Sequence, residues 1–124
     1  TLQWHDGGLM SASFSPDGML VITASVDRST KLWSVESGEC IRTSWGHADG
    51  VMSASFSPDG TWVLTASSDR TAKLWSVESG ECFRTLEGHG AELTVASFSP
   101  DGAWVVTASK DRTAKLWDAE SGEC

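Results

Sequence analysis

Residues His47–Trp75 read HADGVMSASFSPDGTWVLTASSDRTAKLW, and near-copies of this stretch lie on both sides of it. His5, His47 and His89 recur every 42 residues, as do Phe14, Phe56 and Phe98, and Trp33, Trp75 and Trp117. One unit is therefore used three times. Self-similarity at such a period marks an architecture in which each unit buries its faces against its neighbours, so fold and function both follow from stacking that unit.

The first copy shows what the unit is. Ala12 and Phe14 share one face of an extended segment while Ser11, Ser13 and Ser15 share the other, which predicts a strand over Met10–Ser15. Ser15-Pro16-Asp17-Gly18 follows, with Pro fixing φ at the second turn position and Gly at the fourth, so a tight hairpin connection is expected. Leu20–Ser25 is apolar and β-branched on both faces, as a strand covered on both sides must be. Val26-Asp27-Arg28 turns the chain, Thr30–Val35 is a third strand, Glu36-Ser37-Gly38 turns it again, and Cys40–Ser44 is a fourth. The same strands are expected 42 and 84 residues on. No helical periodicity occurs.

The histidine entries, the SFSPDG turn, the Asp-Arg turn and the Lys-Leu-Trp run make each unit resemble a repeat of the WD-repeat β-propeller family, over the whole chain. The resemblance implies an all-β fold: a propeller segment of three four-stranded antiparallel blades, the third lacking most of its outer strand. The expected division is residues 1–4 as the end of an outer strand, 5–46 as blade one, 47–88 as blade two and 89–124 as incomplete blade three. In the family, sharing one blade between two chain ends closes the ring. Thr1–Trp4, which aligns with Thr43–Gly46, would supply what blade three lacks.

The resemblance also implies a buried hydrogen-bonded network in each blade, joining the His before strand a, a hydroxyl of strand b, the Asp of the b–c turn and the Trp of strand c. Carried over, the sets are His5, Ser25, Asp27 and Trp33; His47, Ser67, Asp69 and Trp75; and His89, Ser109, Asp111 and Trp117. Thr23, Thr65 and Thr107 share the serine's strand face and remain open for its role. Two departures stand out. Trp4 replaces the Gly before His, and the residue after the strand-c Trp is Ser34 or Ser76, becoming Asp only at Asp118.

The 124 residues carry a formal charge of −8, which disfavours general nucleic-acid binding, since phosphate recognition needs clustered Lys and Arg. Cys40, Cys82 and Cys124 sit once per repeat, which fits neither a disulfide framework nor a metal cage and suits a reducing, intracellular and cytoplasmic setting. Neither a cofactor nor a metal is expected. No apolar run reaches the roughly 20 residues that span a bilayer. Without an initiating Met, the sequence reads as a piece of something longer.

Each unit's His, Ser and Asp would pass for a hydrolase triad were the set not repeated three times at identical spacing without a GxSxG elbow. A structural reading is preferred, and no catalytic residue is assigned. The copies differ mainly in the d–a and b–c loops, which a meander places on one rim. Asp6, Met10, Val26, Arg28, Asp49, Met52, Ser68, Arg70, Glu92, Thr94, Lys110 and Arg112 are therefore candidate interaction residues. The other rim is acidic, its turns carrying Asp17, Asp59, Asp101 and six glutamates. The expected function is a non-catalytic protein-interaction scaffold whose partners are other protein chains, including identical copies or further blades that complete the ring head to tail. Neither nucleic acid nor membrane is expected as a partner. The alternatives are a purely architectural sector of a larger repeat protein, or an enzyme or small-molecule- or glycan-binding propeller.

Overall fold

The computed structural model describes residues 7–124. Thr1–Trp4, expected to end an outer strand, and His5 and Asp6 lie outside the described residues. The first sheet is β1 (Leu9–Phe14), β2 (Leu20–Ser25), β3 (Thr30–Ser34) and β4 (Cys40–Ser44). A second has β5 (Val51–Phe56), β6 (Trp62–Ser67), β7 (Thr71–Ser76) and β8 (Cys82–Glu87), and the third has β9 (Leu93–Phe98), β10 (Trp104–Ser109) and β11 (Ala114–Asp118). All neighbours pair antiparallel in sequence order. The described residues contain no helix, hence none long and apolar enough to cross a membrane. These are propeller blades of four, four and three strands, and they do not close into a ring.

The inner strand sits one residue earlier than the alternation predicts, for a reason found in the turn. Ser15 Oγ accepts the Leu20 N–H at 3.0 Å and donates to Asp17 Oδ1 at 2.6 Å, so Ser15 caps the hairpin and the strand ends at Phe14. Gly18 completes that turn at φ +75°, a conformation costly for any residue with a Cβ. At the other end Leu9 pairs with Ser25 and Ser11 with Ala24, which leaves Met10 as the extra residue of a bulge; the same bulge recurs in the other blades.

Successive blades pack face to face. Ile22, Ala24 and Leu32 of the first meet Val51, Ala54, Val63 and Trp75 of the second. Leu64, Ala66, Leu74 and Leu86 of the second meet Leu93, Ala96, Val105 and Trp117 of the third. Strand b is thus covered on both sides in the middle blade. Serines of the preceding blade bond single residues at the edges of the inner strands: Ser11 Oγ accepts from Ala54 N and Ser13 Oγ donates to Ala54 O, both at 3.1 Å, while Ser53 Oγ accepts from Ala96 N at 3.4 Å.

The two outermost faces repeat these halves with no neighbouring blade among the described residues. Leu116 is 56% exposed where Leu74, one repeat earlier, is fully buried. On the opposite end Leu9 is 49% exposed where Val51 is buried, and Phe14 is 67% exposed.

Candidate functional site: the buried polar network and the loop rim

In the middle blade a directional chain of hydrogen bonds crosses the sheet. Trp75 Nε1–H donates to Thr65 Oγ1 at 2.9 Å, and Thr65 lies 2.7 Å from His47 Nε2. The Nδ1 of the same ring lies 2.8 Å from Asp69 Oδ2. With the indole able only to donate, the consistent tautomer is neutral His47, Nε2 accepting from Thr65 and Nδ1–H donating to Asp69. Asp69 also accepts from Ala48 N–H at 3.0 Å and from the Thr71 N–H and hydroxyl at 2.9 and 2.6 Å.

The third blade repeats the arrangement. Trp117 Nε1 donates to Thr107 at 2.9 Å, Thr107 lies 2.7 Å from His89 Nε2, and His89 Nδ1 lies 2.9 Å from Asp111. In the first blade Trp33 Nε1 donates to Thr23 at 3.0 Å, and Asp27 accepts from Ser29 N–H at 2.8 Å. His5 lies outside the described residues.

Ser25, Ser67 and Ser109 are not members of this chain, which corrects the assignment carried over from the family pattern. The reason is register. Trp75 stands opposite Val63, so its indole reaches the diagonal neighbour Thr65. Ser67 lies four residues along the strand from Val63, about 13 Å away at about 3.3 Å per residue. The serines do another job. Ser67 Oγ donates to Gly50 O at 2.8 Å and accepts from Asp69 N–H at 3.0 Å, clasping the d–a loop to the b–c turn. Ser25 and Ser109 do the same with Gly8 and Glu92.

Burial holds the His47 imidazole below its ordinary value, against the opposing pull of Asp69. For Asp69 burial acts upward, but the Thr71 hydroxyl, His47 and the Ala48 N–H outweigh it and leave the carboxyl below the usual range. Asp111 is lowered further, by the Thr113 hydroxyl first and then by His89 and the Gly90 N–H. With both ring nitrogens engaged and only 7% of the residue exposed, His47 has no lone pair to offer a substrate.

Sequence reasoning passed over Thr71 and Thr113, which hold the carboxylates. The available signal was a hydroxyl two residues after each turn Asp, at Ser29, Thr71 and Thr113. Beyond the network, the d–a and b–c loops of each blade lie together, joined by Val26 N to Gly8 O at 3.0 Å, Ser68 N to Gly50 O at 3.0 Å and Lys110 N to Glu92 O at 2.9 Å. Of the candidate rim residues, Met10, Val26, Arg28, Asp49, Arg70, Glu92, Thr94, Lys110 and Arg112 are exposed, Met52 and Ser68 are half-buried, and Asp6 lies outside the described residues. Lys110 pairs with Glu92 at 3.2 Å.

An indole–hydroxyl–imidazole–carboxylate chain that repeats inside antiparallel blades is specific enough to compare with known families. The model for "WD domain, G-beta repeat" matches residues 1–34, 38–76 and 80–118. The chain belongs to the WD40 repeat family. WD40 repeat proteins are in general non-catalytic scaffolds for protein interaction. Among curated WD40 relatives, eukaryotic translation initiation factor 3 subunit I of Aspergillus oryzae is 38% identical over 42 residues, which is 34% of this chain and 12% of that protein. Human WD repeat-containing protein 86 is 42% identical over 43 residues, 35% of this chain and 11% of that protein. Nuclear distribution protein PAC1 of Arthroderma otae is 38% identical over 55 residues, 38% of this chain and 12% of that protein. The matched WD40 segments span about one eighth of those relatives' length.

Proposed function

We propose that this chain is a non-catalytic interaction scaffold whose two end faces are completed by further blades, and whose loop rim carries partner recognition. The observation that carries the proposal is the identity of the exposed ends. Val106, Ala108 and Leu116 occupy the positions of Leu64, Ala66 and Leu74, while Leu9, Ala12 and Phe14 occupy those of Val51, Ala54 and Phe56. Together the ends are the two halves of an interface that the molecule already builds twice, so a copy of this chain placed head to tail presents the matching half. Propellers close with about four to eight blades, and two copies give six. One relative is a subunit of a eukaryotic translation initiation factor, which agrees with work in protein assemblies.

Recognition by the loop rim is supported by backbone strain there. Arg28, Arg70 and Arg112 sit in the b–c turns at φ of 77°, 76° and 74°, a region that favours glycine, yet each is an exposed arginine. In the second and third blades the network beneath ties those loops down with its imidazole buried.

Sedimentation of the intact chain tests the assembly. Self-association is expected, and Leu116→Glu should abolish it by placing a carboxylate in the joint. A cooperatively folded monomer whose sedimentation and stability are untouched by Leu116→Glu would overturn the proposal.

A further inference from the structure

The acidic rim holds a cleft of about 620 Å³ between the second and third blades, apart from both the network and the loop rim. Trp62 and Phe83 form one wall, ring centroids 4.2 Å apart and planes tilted by 41°. Phe98 also lines the cleft, as do three acidic residues, Asp101, Asp118 and Glu120. Arg84 is the cation in the lining. Its Nη2 donates to Glu120 O at 2.5 Å, which ties the two blades together, and its charge bears on Asp118, so the acids of the cleft outnumber its one cation by three to one.

Aromatic faces beside carboxylates select cations, because the ring quadrupole presents negative charge and the acids supply the rest. The carboxyl of Asp101 is held below the usual range by the Ser99 hydroxyl and the Ala103 N–H, and that of Asp118 by the Ser121 N–H, so both stay ionised. The equivalent gap between the first and second blades carries Leu20, Ile41 and Ser76 where this one carries Trp62, Phe83 and Asp118, and Thr61 and Val77 where this one has the smaller Ala103 and Ala119. Blades therefore pack without the aromatic pair or the extra acid, and both fall together on one cleft that the two alanines leave wider.

We propose that this cleft is a binding site for a lysine ammonium group on a basic segment of a partner protein, seated against Trp62 and Phe83 and neutralised by Asp118 and Glu120. The cleft lies wholly within two described blades, so the proposal is independent of how the ring is completed.

The test uses the intact ¹⁵N-labelled chain and the peptide acetyl-Gly-Lys-Gly-Lys-Gly-amide, with a counterpart acetylated at both lysine Nε atoms. The Trp62 indole N–H signal, assigned by its loss in Trp62→Leu, should shift saturably with the lysine peptide. Affinity should fall about tenfold for the acetylated peptide, and by a similar factor in the triple variant Trp62→Leu, Phe83→Ile, Asp118→Ser. Those replacements are the residues of the equivalent gap, and Asp118→Ser alone gives the same reading should the triple variant fail to fold. The proposal is overturned by absent binding, by equal affinity for the acetylated peptide, by undiminished affinity in the variants, or by shifts spread over the acidic turns of all three blades without Trp62.

Discussion

Arg42 on β4 donates through Nη1 to the carbonyl of Val77, 2.6 Å away in the c–d turn of the next blade, and through Nη2 to that of Glu78 at 3.0 Å. Arg84 repeats the reach to Glu120. The approach requires Gly80: its φ is +77°, and a Cβ there would stand 2.5 Å from Arg42 Cδ. Each outer strand thereby grips its neighbour's turn by charged hydrogen bonds.

Arg42→Met should cost about 1–2 kcal/mol, because charge-assisted hydrogen bonds are lost while the aliphatic stem is kept. Gly80→Ala should cost a similar amount, from both the positive φ and the displaced guanidinium, roughly 1–2 kcal/mol. Urea unfolding of the singles and the double checks this; a double variant no worse than the worse single shows one shared contact.

Thr65→Val should destabilise by about 1–3 kcal/mol, since it strands the Trp75 indole N–H and His47 Nε2 in the core. Thr65→Ser, which keeps the hydroxyl, should cost less, and thermal denaturation gives the order. A loss larger for Thr65→Ser than for Thr65→Val would mean that the methyl, not the hydroxyl, matters.

Acid should weaken the fold in two stages. His47 is depressed in the folded state, so the unfolded chain binds the proton first, and the stability His47 contributes above its ordinary 6.5 is lost as pH falls toward its folded value. Asp69 is depressed as well, so its contribution is present above 3.8 and drains away below that. Unfolding midpoints should therefore drop on acidification from neutral pH, and His47→Gln should flatten the first stage. A midpoint that rises between pH 7 and 5 would contradict the neutral tautomer.

Arg70→Gly should raise stability by about 0.5–1 kcal/mol, since glycine adopts φ +76° without a Cβ penalty, offset in part by its greater unfolded-state freedom. Partner capture by the loop rim should fall in the same variant if the arginines serve recognition. Chemical denaturation measures the first effect.

Much of this molecule was legible in one dimension because its signals are local. The 42-residue period, the Ser-Pro-Asp-Gly turns and the two-residue alternation depend on neighbours in sequence, and they locate the strands to within a residue. The exception shows the limit: Ser15 looked like strand because it alternates correctly, but its hydroxyl takes the Leu20 N–H and turns it into a cap.

Sequence by itself therefore determined the repeat, its strands and the residue types of a polar network. Only tertiary structure decided that Thr65 and not Ser67 receives the indole, because both alternate onto one strand face and the choice rests on pairing Trp75 with Val63. It also decided that Arg42 reaches Val77 and that Trp62 meets Phe83 beside Asp118. Those relations join strands and blades whose spacing is set by register and packing, which no periodicity within a single strand encodes.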